Sequence, residues 1–367
     1  MLRTFLDRRR AAALCLALGF AFLLIGWWPL DPTPRNQVAW LKDQPGLSFR
    51  PPGIAATNRP FSLPQPQPAS GFTLELHLEA GTEPRSNVHY IASFHEEGRS
   101  SGLILLQWKS ELILRIPDPA APRGFREVGV NALQLVPRVI TVTCDDSGTS
   151  FYVDGRPVRR LPKFIVPTQA LRGRLVLGDA AEGKQGWTGR LYGFALHGRA
   201  LNRGEAAARF HAWKDREPVA LRESAGLAAL YLFAEGTGSH TASALPLAPR
   251  VEIPRVYSVV EKSPFLVPRD LKAAMHAGRQ DVIVNLLGFV PFGLLACLYF
   301  SQRPRASRLS ALALAILAGA GLSLIIEGGQ IWLPNRVSSA LDLGCNTLGS
   351  AAGALLALGL WGKKKER

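Results

Sequence analysis

Cysteine is scarce in this chain, and its positions exclude two kinds of architecture. Only 4 of the 367 residues are cysteine. Cys15, Cys297 and Cys345 lie in long apolar runs, and Cys144 stands alone in the polar part of the chain. No disulfide framework and no cysteine-based metal site can be built from this spacing. The sequence identifies no cofactor on this basis.

Acidic residues are also few relative to basic ones, which gives a formal net charge of +15. Such an excess can indicate a nucleic-acid partner, so its location along the chain matters. Eleven of the 43 basic residues, with only two acids, lie in three short segments beside apolar runs: 1–10, 301–308 and 363–367. Membrane topology therefore explains most of the excess, and we expect no nucleic-acid partner.

Four apolar runs are close to the length of about 20 residues that a helix needs to cross a bilayer. They cover residues 11–30, 282–300, 309–326 and 343–362. The sequence therefore predicts a multi-pass membrane protein. Trp27, Trp28 and Pro29 follow the first run where a signal peptide would have small residues, so we expect an uncleaved anchor.

Basic residues beside membrane spans remain in the cytoplasm and so set the orientation. The three basic segments fall on one side, whereas the connection 331–341 on the other side holds Arg336 as its single basic residue. The sequence predicts a bacterial cytoplasmic-membrane protein with both termini in the cytoplasm and residues 31–280 outside.

The region between the first two apolar runs has a hydrophobic period of two, which predicts β-strands. The stretch 72–79 alternates apolar and polar residues, and similar runs follow it with turn signals between them. Many short strands with such punctuation are typical of a β-sandwich. On this pattern alone, Glu75, His77 and Glu79 form the solvated face of a strand.

Four stretches of this region resemble the LamG or concanavalin A-like jelly-roll family: GFTLELHLEA (71–80), VTCDDSGTSFYVDGRPV (142–158), RLVLGDA (174–180) and WTGRLYGFALHGRALNRGEAAARF (187–210). The resemblance implies glycan or protein binding. The stretch LYLFAEGTG (230–238) resembles the first strand of such domains but follows the rest. We therefore expect a permuted strand order, with the first strand beside the last and the domain extending to about residue 254.

Some relatives are glycosidases and some bind calcium, but these two functions have weaker support here. A glycosidase needs two carboxylates about 5 to 9.5 Å apart, and no convincing pair is visible in the sequence. As in some relatives, Asp145, Asp146 and Asp179 are candidate calcium ligands, although turn chemistry explains them equally well.

The pattern Asp-x-x-x-Asn-x-x-Gly occurs twice at the start of an apolar run, at 281–288 and at 342–349. Asp and Asn are four residues apart, so each pair stacks on one helix face, and Gly288, Gly349 and Gly353 are predicted to permit close helix packing. Helix capping alone explains the aspartates but not the asparagines. Since Trp and Pro end the helix before each copy, the repeat predicts two parallel helical hairpins.

With the predicted orientation, seven polar residues converge on the outer leaflet. They are Asp281, Asn285, Glu327, Gln330, Arg336, Asp342 and Asn346. Polar groups at membrane depth are costly, so their convergence indicates a functional site. An ion pair that includes Arg336 and a purely structural polar network both fit this set.

Two blocks in the last ninety residues resemble the VanZ-like membrane family: DVIVNLLGFVPFGLL (281–295) and EGGQIWLPNRVSSALDLGCNTLGSAAG (327–353). WWPLD (27–31) is a weaker match. The family takes its name from a protein associated with glycopeptide resistance, and its reaction is not established. The resemblance implies recognition of, or action on, an envelope lipid or amphiphile.

The predicted fold is mixed: a four-helix transmembrane module with an all-β jelly-roll sandwich inserted after the first helix. The expected domains are the first helix (1–30), a linker (31–60), the jelly roll (61–254), a second linker (255–280), and the remaining helices with a cytoplasmic tail (281–367). The predicted function is lipid or amphiphile recognition with a glycan- or protein-binding jelly roll, and whether the chain is an enzyme stays open. A membrane-anchored adhesion or sensing module is the alternative, and an extracytoplasmic glycosidase is the weaker one.

Overall fold

The computed structural model describes residues 7–61, 71–82, 88–98, 101–183, 185–262, 264–265, 279–334 and 336–362. The chain forms two compact units. The membrane unit comprises Met1–Pro32 and Lys262–Arg367, and the sandwich unit comprises Thr33–Glu261. Arg3 and the basic residues of 363–367, which entered the prediction of orientation, lie outside the described residues.

Six α-helices and sixteen strands are present among the described residues. The helices are α1 (Arg8–Trp27), α2 (Arg203–Lys214), α3 (Pro218–Arg222), α4 (Arg279–Phe300), α5 (Arg308–Gln330) and α6 (Ala340–Gly362). The strands are β1 (Ala39–Trp40), β2 (Leu47–Phe49), β3 (Ala55–Thr57), β4 (Gly71–Ala80), β5 (His89–His95), β6 (Ile104–Trp108), β7 (Glu111–Pro117), β8 (Phe125–Asn131), β9 (Arg138–Asp145), β10 (Gly148–Val153), β11 (Arg156–Leu161), β12 (Arg174–Leu177), β13 (Gly189–His197), β14 (Leu227–Tyr231), β15 (His240–Thr241) and β16 (Val251–Glu252).

Four helices of the membrane unit, α1, α4, α5 and α6, are long and apolar enough to span a bilayer. This confirms the prediction of a membrane protein. Their bounds differ from the predicted ones by a few residues. Helix α1 ends at Trp27 rather than at residue 30, because Pro29 lacks an amide hydrogen and cannot continue the helix.

Helices α4 and α6 pack with their backbones in contact. A Cβ atom built on Gly349 would overlap the carbonyl oxygen of Leu286, and one built on Gly353 would overlap that of Val290. Gly293 of α4 meets the backbone of α6 at Ser350 in the same way. Small residues on both helices therefore set the distance between them.

Gly288 does not contribute to this packing, contrary to the prediction. Apart from its chain neighbours and the nearby backbone of α4 itself, no described atom lies within 4 Å of a Cβ built on Gly288. Gly288 follows Leu286 by two residues, which places it about 200° around the helix from the face that meets α6. The two copies of the repeat are therefore alike in sequence but face different surroundings.

The sandwich unit consists of two antiparallel sheets, as predicted. In the described residues the first sheet has the order β1-β2-β13-β4-β9-β10-β11 with β14 beside β13, and the second has the order β15-β16-β3-β12-β5-β6-β7-β8. Alternate residues of β4, from Phe72 to Leu78, have no solvent exposure and fill the space between the sheets. The hydrophobic period of two thus produces the main core.

Strand β14 lies beside β13, as the permuted order predicts. Phe194 pairs with Tyr231 and His197 pairs with Leu227. The other half of β13 pairs with β2, where Gly189 lies opposite Phe49. Two short strands from distant parts of the chain therefore share one edge of β13.

The segment 31–60, predicted as a linker, contains β1, β2 and β3 of the sandwich. These strands have two or three residues, too few to produce a periodic signal. The two ends of the sandwich unit also pair with each other, since Arg35 forms a β-bridge with Val256 and Tyr257 N–H donates to the Pro34 carbonyl. The chain therefore enters and leaves this unit at neighbouring positions.

Candidate functional site

Four polar side chains are buried along the contact between α5 and α6. This set, which we call the polar column, consists of Ser323 and Glu327 on α5 and Asn346 and Ser350 on α6, each at most 3% exposed. Asn346 Nδ2 donates to Ser323 Oγ over 2.9 Å. Ser350 faces Gly319, where a larger residue would overlap its hydroxyl. The small residue at position 319 therefore makes room for a hydroxyl inside the helix bundle.

Two polar atoms of this column have no hydrogen-bond partner among the described residues: Asn346 Oδ1 and Ser350 Oγ. Turning the Asn346 amide over would exchange its nitrogen and oxygen, but one of the two atoms would still lack a partner. An unpaired polar atom in a dry interior costs about 1 to 3 kcal/mol. Such atoms are rare in folded proteins, and each one requires a specific explanation.

Glu327 lies at the N-terminus of α6. Its Oε2 accepts a hydrogen bond from Ser339 N–H over 2.7 Å, and Ser339 Oγ in turn accepts from Asp342 N–H over 3.3 Å. A carboxylate is favourable at this position, because the N-terminus of a helix carries a partial positive charge. The hydroxyl of Ser339, rather than the carboxylate of Asp342, caps this amide of α6.

Arg336 and Gln330 bind backbone carbonyl groups at the C-terminus of α1. The guanidinium of Arg336 donates to the carbonyl groups of Trp28 and Ile25, and Gln330 Nε2 donates to the Gly26 carbonyl over 2.9 Å. In the described part of the chain Arg336 has no ion pair. The ion pair considered from the sequence is therefore replaced by a cation on the negative end of a helix.

Asp281 and Asn285, the polar residues of the first repeat copy, do not join the polar column. Asp281 is exposed and Asn285 is half-buried. Neither side chain has a hydrogen bond to any described residue. The structure thus divides the seven predicted residues into Glu327, Asp342 and Asn346 around α6, Gln330 and Arg336 at the end of α1, and the two residues of α4.

Sequence reasoning missed the serines of this site. Ser323 precedes Glu327 by four residues, and Ser350 follows Asn346 by four, so each shares a helix face with a residue that was predicted. A search one helical turn before and after each predicted polar residue would have found both serines. Ser339 carried a different signal, since serine three residues before Asp342 is typical of a helix N-cap.

A second polar cluster lies in the sandwich unit, and it corrects the prediction of a solvated strand face. Glu75 on β4 is fully buried beneath α2. Arg209 of α2 donates to its carboxylate through Nη2 over 2.6 Å and through Nε over 3.0 Å. Trp213 Nε1 donates over 3.1 Å, and His197 Nε2 lies 3.3 Å away. Alternation predicted a second strand face but not the helix that covers it.

Burial would raise the pKa of the Glu75 carboxyl, but hydrogen bonds from His197 and Arg209 and the charge of Arg209 outweigh it and lower the pKa to about 2. Glu75 therefore carries a fixed negative charge that orients α2. It is a poor general acid. Glu79, four residues along the same extended strand, lies about 13 Å away, which exceeds the separation of a glycosidase pair.

Beside this cluster, two adjoining cavities open along the edge of α2. Their volumes are about 150 Å³ and about 320 Å³, and both are lined by His77, Tyr192 and Arg216. The rings of His77 and Tyr192 lie 5.0 Å apart, and Tyr192 Oη donates to Glu79 over 2.7 Å. Burial, together with the charge of Arg216, lowers the pKa of His77 to about 4, so the imidazole is neutral at physiological pH.

The three calcium candidates do not form one site. Asp145 lies opposite Gly71, at the first residue of β4. Asp179 follows Gly178, which abuts Phe49 at the opposite end of the sheet, where β13 pairs with the last residue of β4. Ten residues of extended chain separate the two ends, about 30 Å.

Local hydrogen bonds occupy two of these aspartates. Asp145 Oδ1 accepts from Ser147 N–H and from its hydroxyl, over 2.8 and 2.6 Å, which is a turn interaction. Asp179 is 2% exposed and accepts from Tyr257 Oη over 2.8 Å. Burial raises the pKa of Asp179 despite its hydrogen bonds. Within the described ranges no group of three metal-binding side chains is present.

Two parts of the chain match models of known protein families. Residues 227–361 match the VanZ/LLP1 family, and residues 56–207 match the concanavalin A-like lectin/glucanases superfamily. The first match begins at Leu227, which lies in β14 of the sandwich unit, and does not include α1. No curated protein matches the chain.

Several solved structures are similar to part of the chain. A native heptameric SAP-like pentraxin from Limulus polyphemus has 12% identity and a TM-score of 0.33, over 48% of this chain and 82% of the pentraxin. A putative carbohydrate binding protein from Bacteroides ovatus has 16% identity and a TM-score of 0.41, over 60% of this chain and 62% of that protein. The receptor binding domain of botulinum neurotoxin type G has 12% identity and a TM-score of 0.34, over 48% of this chain and 45% of that domain.

The VanZ/LLP1 match contains α4, α5 and α6 up to residue 361, and the concanavalin A-like match contains β4 to β13. The chain therefore combines a VanZ-like membrane domain with a concanavalin A-like jelly-roll domain inserted after its first helix.

Proposed function

We propose that the VanZ-like helices recognise, or act on, an envelope lipid or amphiphile at the outer leaflet, and that the jelly roll binds a glycan or a protein. The polar column is the observation that carries this proposal. Ser323, Glu327, Asn346 and Ser350 are buried in helices whose surroundings offer no water, where polar groups are rare unless they serve a function.

The unpaired atoms of the column suggest what the ligand offers. Asn346 Oδ1 accepts hydrogen bonds only, and Ser350 Oγ can accept or donate. A hydroxyl or ammonium group on a lipid head would complete both. The carboxylate of Glu327, close by on α5, adds a negative charge that favours a cationic group.

The outer-leaflet position rests on the distribution of basic residues. Arg303 and Arg305 lie between α4 and α5, and Arg308 is the first residue of α5, whereas Glu327 lies near the other end of α5, beside Asn346 of α6. Since basic loops remain in the cytoplasm, the polar column lies toward the outer side. The jelly roll, which joins α1 and α4 at that same side, is then extracytoplasmic.

Binding rather than hydrolysis is the role we propose for the jelly roll. The superfamily that it matches includes lectins and glucanases. Glu75, the most buried carboxylate of the α2-covered face, is held ionised by Arg209 and is too far along the strand from Glu79 to act with it.

The test is to replace Asn346 with leucine, which keeps the volume of the side chain and removes its amide. We expect the Asn346→Leu protein to remain in the membrane but to lose the lipid retained by the wild-type protein, measured by native mass spectrometry after gentle detergent extraction. In a bacterial host that expresses the protein, the sensitivity to a glycopeptide antibiotic should return to that of the empty host.

Thr347→Val is the matched control, since it removes a polar group from the next position of the same helix. Among the described residues, the Thr347 hydroxyl donates to the Leu343 carbonyl of its own helix alone, over 2.8 Å, so lipid retention should not change. If Asn346→Leu and Thr347→Val retain the same amount of lipid, the polar column has no role in lipid binding.

The competing hypothesis, an adhesion or sensing module on an inert anchor, predicts the reverse pattern. Arg35 and Val256 form an antiparallel bridge, so their Cα atoms are about 5 Å apart and a short Gly-Ser-Gly linker can replace residues 36–255. If this deletion abolishes the phenotype while Asn346→Leu leaves it intact, the jelly roll carries the function and the helices only anchor it.

A further inference from the structure

The paired cavities beside α2 have the features of a ligand site. They share His77, Tyr192 and Arg216, and the smaller one is also lined by Trp213 and Leu221. Their volumes together fall in the range of known small-molecule pockets, about 300 to 1,000 Å³. Aromatic and apolar walls with a few polar groups at the mouth are the usual composition of such pockets.

The polar groups at the mouth are mainly cationic. Lys214 and Arg216 line the larger cavity, are exposed, and have no acidic partner among the described residues. The acid that lines this cavity, Asp154, already pairs with Arg138. Asp215 and Glu217, the sequence neighbours of Arg216, line neither cavity. A ligand in the groove therefore meets uncompensated positive charge.

Arg216 also has a backbone conformation that favours a different residue. It follows the C-terminus of α2 with φ of 53°, the left-handed region in which glycine has no steric cost. This conformation ends the helix, because the backbone amides of Arg216 and Glu217 donate to the carbonyl groups of Trp213 and Ala212. The Arg216 guanidinium donates to Gln44 Oε1 over 2.6 Å, and both residues line the larger cavity. A contact outside its own helix therefore holds the guanidinium beside this cavity.

We propose that this groove binds an acidic oligosaccharide, with Tyr192 and His77 against the sugar ring and Arg216 on its carboxylate. The planar guanidinium matches a carboxylate through two parallel hydrogen bonds, and Lys214 adds a second positive charge. This inference rests on the proposed glycan-binding role of the jelly roll and adds its location and the chemical class of its ligand.

The experiment uses full-length protein in lipid nanodiscs and isothermal titration calorimetry with two probes, tetragalacturonate and the neutral galactotetraose. We expect the wild-type protein to bind the acidic probe at least about tenfold more tightly than the neutral one. Arg216→Gly relieves the backbone and should fold, but should lose at least about tenfold in affinity for the acidic probe. Arg216→Gln, which keeps the length of the side chain, should lose a similar factor.

Lys109→Gly is the matched control. Lys109 is another basic residue of the sandwich unit with a left-handed backbone, φ of 55°, and it lines neither cavity. This variant removes the same charge and the same strain elsewhere, so the affinity for tetragalacturonate should not change.

The outcomes separate the groove from the broader glycan proposal. If tetragalacturonate binds equally well to the wild-type, Arg216→Gly and Arg216→Gln proteins, glycan binding stands and the groove is refuted. Equal affinity for the acidic and neutral probes would refute the role of the carboxylate. Absence of binding by both probes would refute the acidic-oligosaccharide assignment together with the groove.

Discussion

Removal of Arg209 should destabilise the sandwich far more than removal of Arg199, a partly exposed arginine that pairs with the same helix. Arg209→Met leaves the Glu75 carboxylate fully buried without its main partner. Breaking a buried pair in this way costs about 3 to 5 kcal/mol. For a domain of this size, that corresponds to a decrease of about 6 to 20 °C in melting temperature.

The pKa of Glu75 gives an independent value for the same interaction. Its folded-state pKa of about 2 lies below its ordinary value of 4.5, so the carboxylate stabilises the folded state above pH 4.5 and the effect is lost as the pH falls toward 2. A tenfold change in proton affinity corresponds to about 1.4 kcal/mol, so the lowered pKa of Glu75 stabilises the folded state by about 3 kcal/mol at neutral pH. By pH 3, about 2 kcal/mol of it should be gone.

Thermal unfolding of the full-length protein in detergent, followed by the circular dichroism of the sheets, measures both quantities. Arg199→Met is the control, since Arg199 pairs with Glu205 of α2 over 2.6 Å but both side chains are about one-third exposed. That pair should contribute at most about 1 kcal/mol. In the double variant Glu75→Leu, Arg209→Met, most of the stability should return and the acid sensitivity should decrease.

Two results would refute this reasoning. The first is an equal loss of stability in Arg209→Met and Arg199→Met. The second is an acid sensitivity between pH 6 and pH 3 that is the same in the wild-type protein and in the double variant.

Further predictions concern the membrane unit. Gly353→Leu should prevent α4 and α6 from packing and so abolish a stable membrane unit, because even a Cβ at this position overlaps the Val290 carbonyl. Gly288→Ala should leave the stability of the protein in detergent unchanged or raise it by up to about 1 kcal/mol, because no neighbouring helix crowds this position and alanine favours a helix. A loss of stability as large as that in Gly353→Leu would contradict the packing face assigned to α4. A phosphatase reporter that is active only outside the cytoplasm should be inactive when fused after Pro304 and active when fused after Pro32, and the opposite pattern would reverse the orientation.

The sequence was sufficient to predict both units because their signals are local. A run of 20 apolar residues and a period of two each depend on neighbouring positions alone. The strands β1 to β3 escaped prediction because two or three residues carry no period. The burial of Glu75 escaped it because the covering residue, Arg209, is 134 positions away.

The candidate site was predicted only in part, because the sequence pattern does not show which helix face packs against a neighbour. The repeat placed an aspartate, an asparagine and a glycine on one face of α4 and of α6, and it predicted the same role for both copies. Only packing decides what each face meets. Asn346 and Gly349 meet neighbouring helices, whereas no described atom approaches Gly288 and Asp281 is exposed. The two copies of the repeat, on α4 and on α6, therefore lie in different surroundings.

The neighbouring ends of the sandwich unit have a mechanical consequence. A polymer that pulls on the jelly roll transmits its load to the rest of the chain through two antiparallel segments, where Pro34 and Tyr257 share a hydrogen bond. Because both segments leave from one end of this ladder, tension draws them in the same direction and does not pull one away from the other. Their mutual hydrogen bonds should therefore carry little of the load, which passes along both segments into the sandwich at neighbouring positions.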